Sequence, residues 1–392
     1  MANYKYLIIG GGMAGDAALK GIREVDATAT AGLIGAESQP PYDRPPLTKG
    51  LWKGDPEEKI WRQTDSLGAD LHLGRRAEQL DTRNRRVTDD RGTSYGYEKL
   101  LLATGGTPKR LPGDPEGVLY YRTYRDYRTL RERAEDGERF AVVGGGFIGS
   151  EIAAALAMNG KHVTMILRGD GVGANMFPAG LVKFLNRYYA EKGVDVQTLE
   201  EVAAVSGKGA KSSITTKQGR SVDVDGIVAG VGIAPNTTLA EQAGLKVEDG
   251  IVVDEFLCTS RPEIYAAGDV ANFYNPALGA RLRVEHEDNA NDMGKAAGKN
   301  MAGEAAPYDH LPFFYSDLFD LGYEAVGDVS AKLQVVEDWK EPYKEGVVYY
   351  LKDGRVKGVL LWNVWEQVNN ARKLIAEKGP FKLEDLKGRL PA

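Results

Sequence analysis

The sequence contains a single cysteine, Cys258, among 392 residues. One thiol excludes a disulfide framework, a CxxC redox pair and a cysteine-rich zinc site. Histidine is also scarce, and its four copies at 72, 162, 286 and 310 show no metal-ligand spacing, so we expect no metal site. No apolar run reaches the roughly 18 residues that a membrane-spanning helix needs, and no signal-peptide layout opens the chain. These absences predict a protein of the reducing cytoplasm that has no membrane partner.

Neither sign of charge is in large excess. The 50 lysines and arginines face 56 aspartates and glutamates, which gives a formal net charge of −6. A mildly acidic chain lacks the basic surface on which nucleic-acid binding depends, so we expect no nucleic-acid partner. The short basic run at residues 83–86 lies between strand-like segments and predicts a solvated hairpin turn.

Glycine, by contrast, is abundant, with 48 copies. It is concentrated in two similar segments, each an apolar run followed by GxGxxG and then by an alanine-rich helical stretch. The glycines of the two motifs are Gly10, Gly12, Gly15, Gly144, Gly146 and Gly149. In this context the first glycine permits a tight turn, the second lets the backbone approach a pyrophosphate, and the third lets helix and strand pack closely. The alternative is a pair of glycine-rich turns that bind nothing.

Two such motifs predict two dinucleotide sites in one chain, and a flavin with a nicotinamide is the simplest pair that exchanges electrons. Two further strand ends support a flavin: residues 101–105 end in Ala-Thr-Gly, and residues 264–269 end in Gly-Asp. The fold class predicted is α/β, with two Rossmann-like domains and a small C-terminal α+β domain. We expect the FAD-binding domain at 1–112 and 246–311, the NAD(P)H-binding domain at 113–245, and the third domain at 312–392.

Local patterns predict further elements. Strands are expected at residues 221–229, 251–258, 347–351 and 356–362, and helices at 288–303 and 365–377.

The sequence resembles the FAD/NAD(P)H-dependent pyridine nucleotide oxidoreductases. Within them it is similar to the branch that holds ferredoxin and rubredoxin reductases, monodehydroascorbate reductase and apoptosis-inducing factor. The resemblance is carried by residues 41–49, 144–151, 265–269, 284–286, 314–317, 361–363 and 371–373, which span nearly the whole chain. It implies a glutathione-reductase-like arrangement of the two dinucleotide-binding domains.

The resemblance also implies site residues. Lys49 and Glu151 are the catalytic candidates, because they match a lysine–glutamate pair beside flavin N5; otherwise they are an ordinary surface lysine and a carboxylate in the first turn of a helix. The helix that starts near Glu287 is expected to direct its positive end at the flavin C2 carbonyl. The FAD-binding positions implied are Gly10, Gly12, Ala14, Gly15, Glu37, Arg44, Lys49, Ala103, Thr104, Gly105, Arg122, Gly268, Asp269, Glu285, His286 and Tyr315. The NAD(P)H-binding positions are Gly144, Gly146, Phe147, Ile148, Gly149, Glu151, Arg168 and Gly232.

Three positions depart from the family pattern. Ala36 stands where the family has the acidic residue that holds the FAD ribose, and Glu37 follows. Either Glu37 takes this role after a small shift, or the ribose is held less tightly. At the end of the second strand of the NAD(P)H domain, Arg168 replaces the usual carboxylate, so NADPH is an option beside NADH, unless Arg168 is only an exposed loop residue. The redox cysteine of the disulfide reductases is absent, and Cys258 is expected to be a buried apolar residue.

The sequence therefore predicts an NAD(P)H oxidoreductase that passes electrons from FAD to a ferredoxin or rubredoxin, acting as a monomer or homodimer. A reductase of a small acceptor, monodehydroascorbate or a quinone, is one alternative. Another is a binding protein like apoptosis-inducing factor that senses NAD(P)H and turns over slowly.

Overall fold

The computed structural model describes residues 2–208 and 211–391. The strands, numbered along the chain, are β1 Ala2–Ile9, β2 Ala31–Gly35, β3 Asp70–Leu73, β4 Ala77–Asp81, β5 Arg86–Asp89, β6 Ser94–Leu102, β7 Gly106–Pro108, β8 Val118–Tyr120, β9 Arg139–Val143, β10 His162–Leu167, β11 Val194–Thr198, β12 Val202–Lys208, β13 Lys211–Thr216, β14 Ser221–Val224, β15 Gly226–Ala229, β16 Ile233–Pro235, β17 Ile251–Val252, β18 Ile264–Ala266, β19 Ala271–Asn275, β20 Ala280–Leu282, β21 Phe313–Leu318, β22 Leu321–Gly327, β23 Gln334–Glu341, β24 Glu345–Lys352 and β25 Arg355–Trp362. The helices are α1 Met13–Val25, α2 Tyr124–Asp136, α3 Phe147–Met158, α4 Ala179–Glu191, α5 Thr238–Gln242, α6 Glu287–Ala302 and α7 Val368–Ala376.

These elements form two compact units. The first comprises Met1–Asp43, Glu57–Thr107 and Ala234–Pro312, and the second comprises Arg44–Pro56, Pro108–Ile233 and Phe313–Ala392. The division into three domains by sequence stays a prediction, because the segment Arg44–Pro56 and the C-terminal sheet both belong to the second unit.

The first unit is built on a mixed sheet in the order β3-β2-β1-β6-β5-β4, with β18 paired to β6. Strands β3, β2, β1, β6 and β18 run parallel to one another, whereas β5 pairs antiparallel with β6 and forms an antiparallel hairpin with β4. The basic run at residues 83–86 lies at the turn of that hairpin, as predicted. Strands β2 and β18 and the carboxyl-terminal parts of β1 and β6 are apolar and buried, as expected for a sheet covered on both faces, whereas the edge strand β3 is partly exposed.

The second unit holds a parallel sheet in the order β11-β10-β9-β15-β8, an antiparallel sheet β12-β13-β14, and the C-terminal antiparallel sheet β21-β22-β25-β24-β23. Helix α7 packs on strands β22 and β25. The α/β fold class with two Rossmann-like halves and a C-terminal sheet with a helix is therefore confirmed. Among the described residues, none of the helices combines the length and the apolar character required to cross a membrane.

Three local predictions need correction. Residues 221–229 form two strands in different sheets, because Asp225 leaves the strand path and accepts backbone hydrogen bonds from residues 138 and 139. Only Ile251–Val252 of the segment 251–258 is a strand, since the Asp254 carboxylate accepts the amides of residues 256 and 258 and turns the chain. Helix α7 starts at Val368 instead of 365, because Glu366 has a φ of 64°, which a helix does not accept.

Glycines on α6 allow it to lie directly against α1. A Cβ atom added at Gly298 would lie 2.0 Å from the carbonyl oxygen of Ala18, and one added at Gly294 would lie 2.4 Å from that of Ala14. Two helices that approach this closely leave no room for even a methyl group.

Gly298→Ala is therefore expected to lower the free energy of unfolding by about 1–3 kcal/mol through overpacking. The measurement is urea unfolding followed by circular dichroism. In a helix without this contact the same change stabilises by about 0.5–1 kcal/mol, so a rise in stability would contradict the tight packing.

Candidate functional site

The parallel strands of the first unit end side by side. Ile9 pairs with Ile34 on one side and with Leu102 on the other, and Leu102 pairs with Ala266. The segments that follow these strand ends carry most of the predicted FAD-binding residues of this unit, which are Gly10, Gly12, Ala14, Gly15, Glu37, Ala103, Thr104, Gly105, Gly268 and Asp269. The carboxyl edge of a parallel sheet is where α/β proteins bind nucleotides.

The first glycine motif forms a cradle that fits a pyrophosphate. A Cβ on Gly10 would lie 2.0 Å from the carbonyl oxygen of Ala103, and one on Gly15 would lie 2.1 Å from that of Gly10. Gly12 precedes α1 without a capping side chain, and no atom lies within 4 Å of where its Cβ would be. The positive end of α1 therefore has no side-chain cap, and the position before it leaves room for a ligand, which suits an anion.

Other predicted residues of the first unit have defined partners. Glu37 accepts a hydrogen bond of 2.6 Å from the Tyr42 hydroxyl, which orients its carboxylate after the end of β2. The Thr104 hydroxyl donates to the carbonyl of Asn236 at 2.8 Å. Glu285 is exposed and lies 2.6 Å from a guanidinium nitrogen of Arg283.

His286 caps the start of α6 with its backbone, so the helix starts at Glu287 as predicted. Burial lowers the pKa of His286 to about 4, against the smaller opposite effects of Asp269 and Asp288. The imidazole is therefore uncharged at neutral pH.

The second glycine motif repeats this geometry in the second unit. A Cβ on Gly149 would lie 1.9 Å from the carbonyl oxygen of Gly144, and one on Gly144 would lie 2.4 Å from that of Gly230. Gly146 precedes α3 without a capping side chain and without a neighbour within 4 Å of its Cβ position. This cradle also fits a pyrophosphate, with Phe147 and Ile148 in the first turn of the helix.

Two more predicted NAD(P)H residues lie at the carboxyl edge of the same sheet. Arg168 follows the last residue of β10 and is exposed. Gly232 follows β15 with a φ of 91°, a left-handed conformation that glycine adopts without strain, and its carbonyl accepts the amide of Lys109.

A buried ion pair lies one turn further along α3, where Glu151 meets Lys49. Lys49 Nζ is 2.7 Å from Oε1 of Glu151, and their side chains are 13% and 4% exposed. Glu151 also accepts hydrogen bonds of 2.5 Å from the hydroxyls of Thr48, on Oε2, and Ser316, on Oε1. The structure thus joins the two residues predicted as the catalytic pair, and it excludes the ordinary surface lysine.

Aromatic rings surround this pair. The Lys49 ammonium lies 5.2 Å from the centre of the Tyr315 ring, a cation–π distance. Burial, with a smaller effect from the Glu151 charge, raises the pKa of Tyr189 and of Tyr323 well above the usual tyrosine value, so both phenols stay neutral.

In the same unit Arg44 donates to the backbone carbonyl of Arg122 at 2.9 Å.

Two features of the site were not predicted from the sequence. Thr48 and Ser316 were not recognised as partners of Glu151, although the alternation of Phe314 and Ser316 in β21 was the signal that they share a face. The second feature is a group of three side chains in the first unit, Asp288, Asp292 and His310, whose donor atoms lie within 4.8 Å of one another. Asp288 and His310 are 2.6 Å apart and form an ion pair when the histidine is protonated.

Cys258 is half-buried and lies outside both cradles. Burial raises the pKa of its thiol to about 11, so little thiolate forms at neutral pH. The residue is less buried than the sequence predicted, because it lies in a turn whose thiol contacts the carbonyl of Arg261.

Comparison with known proteins identifies the family. The pattern described as "Pyridine nucleotide-disulphide oxidoreductase" matches residues 4–294, and "Apoptosis-inducing factor, mitochondrion-associated, C-term" matches residues 297–341 and 332–377. The chain is 35% identical to "Apoptosis-inducing factor 1, mitochondrial" of Dictyostelium discoideum, over 98% of this chain and 80% of that protein. It is 34% identical to the "5,5'-dehydrodivanillate O-demethylase ferredoxin reductase subunit" of Sphingobium sp., over 96% of this chain and 94% of that protein.

Among solved structures, the reductase in the covalent putidaredoxin reductase–putidaredoxin complex superposes with a TM-score of 0.90 and 28% identity, covering 98% of this chain and 96% of that one. The chain belongs to the pyridine nucleotide-disulphide oxidoreductase family. It is an NAD(P)H-dependent flavoprotein oxidoreductase that uses FAD, and the two glycine cradles are consistent with two dinucleotides.

Arg168 provides a test of the choice between NADH and NADPH. A charge-assisted contact with a 2′-phosphate contributes roughly 1.5–3 kcal/mol, so Arg168→Ala is expected to weaken NADPH binding about ten- to a hundredfold and NADH binding little. The measurement is the dissociation constant of NADP⁺ and of NAD⁺ by titration calorimetry. Equal losses for the two nucleotides, or none, would make Arg168 an exposed loop residue without a role in binding.

Proposed function

We propose that this protein transfers electrons from NAD(P)H, through FAD, to a small iron–sulfur protein of the ferredoxin or rubredoxin class. The observation that carries the proposal is the buried Lys49–Glu151 pair, which has no cysteine beside it. An oxidoreductase of this family without a redox cysteine has to pass its electrons directly to another acceptor. The names of a relative and of a solved structure, a ferredoxin reductase subunit and putidaredoxin reductase, support a ferredoxin as that acceptor.

The glycine cradles bind the two dinucleotides in this proposal. The first amides of α1 hold the FAD pyrophosphate, and those of α3 hold the NAD(P)H pyrophosphate. When bound, FAD supplies the acceptor for a hydride from NAD(P)H and the donor of single electrons to the partner. Glu37 and Asp269 bind the sugar hydroxyls of the flavin nucleotide, each as a carboxylate acceptor.

Lys49 and Glu151 act at flavin N5. The ammonium of Lys49 supplies a positive charge that favours the more negative, reduced form of the flavin. Burying that charge alone would be costly, and the Glu151 carboxylate at 2.7 Å offsets the cost. The hydroxyls of Thr48 and Ser316 donate hydrogen bonds to the two oxygens of this carboxylate.

Tyr315 lies beside this pair, and we propose that it borders the exit toward the acceptor. Its ring is partly exposed and stacks against the Lys49 ammonium. An aromatic residue at this place shields the charge from water and offers an apolar contact for the acceptor.

We propose that the protein works in the cytoplasm as a monomer or homodimer, with no nucleic acid and no membrane among its partners.

The test is anaerobic stopped-flow reduction of the FAD-loaded protein by NADH and by NADPH, followed by mixing with oxidised ferredoxin, a quinone or oxygen. We expect rapid reduction, then reoxidation by ferredoxin that slows as salt rises, because encounters between charged electron carriers are electrostatically steered.

Reoxidation by a quinone alone, independent of salt, would assign a small acceptor. Reduced protein that persists for minutes in air and with every acceptor would assign the NAD(P)H-sensing role of a binding protein.

A further inference from the structure

Ser316 is a buried hydroxyl that the reaction described so far does not use. It lies in β21 and is fully buried, and its Oγ donates a 2.5 Å hydrogen bond to Oε1 of Glu151. That is the same carboxylate oxygen that Lys49 contacts at 2.7 Å. The ammonium and the hydroxyl therefore share one acceptor atom.

The contact is part of a two-point attachment of β21 to α3. Phe314, two residues before Ser316, packs edge-on against Phe147, with ring centres 5.2 Å apart. Phe147 and Glu151 are four residues apart on one face of the helix, and Phe314 and Ser316 are two residues apart on one face of the strand. The aromatic pair sets the distance between strand and helix, and it brings the Ser316 hydroxyl to the carboxylate.

Thr48 holds the other oxygen. Its hydroxyl donates a hydrogen bond of 2.5 Å to Oε2 of Glu151, and Thr48 is 6% exposed. With Thr48 on one oxygen and Ser316 on the other, the carboxylate has one orientation. Neither hydroxyl carries a charge, so the two hydrogen bonds polarise the carboxylate without adding a second positive charge beside it.

We propose that Ser316, with Thr48, is a positioning residue that fixes the Glu151 carboxylate and sets how much of the Lys49 charge the flavin experiences. The proposal rests on the role of the Lys49–Glu151 pair given above. It assigns to the C-terminal sheet a part in tuning the flavin, in addition to any part in binding the acceptor.

The direction of the effect follows from the charges. Because the Ser316 hydroxyl and the Lys49 ammonium share Oε1, the hydroxyl takes up part of the negative charge that otherwise faces the ammonium. Without the Ser316 hydroxyl, Glu151 neutralises Lys49 more completely, and the reduced flavin loses part of its stabilisation. The midpoint potential of the bound FAD becomes more negative, and its reduction becomes slower.

The experiment measures the midpoint potential of the bound FAD by spectroelectrochemistry, with no acceptor present, in the FAD-loaded protein. We expect Ser316→Ala and Thr48→Val to shift the potential to more negative values. We expect the rate of FAD reduction by NADH or NADPH to fall about three- to tenfold. This is less than the full contribution of a hydrogen bond to a charged group, because only part of that contribution reaches the flavin.

Three controls separate positioning from packing. Thr48→Ser keeps the hydroxyl and is expected to retain the parental potential. Ser212→Ala removes another buried serine of the second unit, outside the cluster, and is expected to leave the potential unchanged. Glu151→Gln tests the pair itself and is expected to shift the potential.

The outcomes are distinct. Unshifted potentials in Ser316→Ala and Thr48→Val with a shifted one in Glu151→Gln overturn this inference and leave the role of the pair intact. Unshifted potentials in Ser316→Ala, Thr48→Val and Glu151→Gln together overturn the role of the pair at the flavin, and this inference with it. A shift in Thr48→Ser or Ser212→Ala as large as in Ser316→Ala would make the effect one of packing, and would overturn the positioning role.

Discussion

The burial of one carboxylate, that of Glu151, organises the second unit of this protein. An ionised group that is 4% exposed is tolerated only when charge and hydrogen bonds compensate for the lost water. Glu151 obtains its partners from two segments distant in sequence, the loop with Thr48 and Lys49 and the strand with Ser316. These contacts join Arg44–Pro56 and the C-terminal sheet to α3, within the unit that also holds the second glycine cradle.

The two cradles show a second constraint, the close approach of backbone to backbone. In both, the third glycine of the motif lies so near the carbonyl of the first that a Cβ atom would overlap it, at 2.1 Å and 1.9 Å. In both, the residue before the helix is a glycine that leaves the first amides uncapped. Both cradles therefore have a geometry that suits the same chemical group, a pyrophosphate at the positive end of a helix.

The fold class and the cradles were predictable because glycine spacing and apolar strands are local signals. The pairing of Lys49 with Glu151 came from resemblance, since no local pattern joins residues about a hundred positions apart. Ser316 was not predictable in that way, because a serine in an aromatic strand looks like an ordinary β residue until α3 is placed against it. The boundaries at residues 225, 254 and 366 were missed because single carboxylates and one left-handed residue interrupt patterns that otherwise continue.

The central claim, that Lys49 and Glu151 act as one unit at the flavin, is tested most directly by a double-mutant cycle. The rate constant of FAD reduction by NADH or NADPH is measured for Lys49→Met, Glu151→Gln and the double variant. Residues that act as a unit give strongly non-additive effects, so the account predicts a double variant about as slow as the slower single one. Losses that multiply in the double variant, or single variants that reduce at the parental rate, would contradict it.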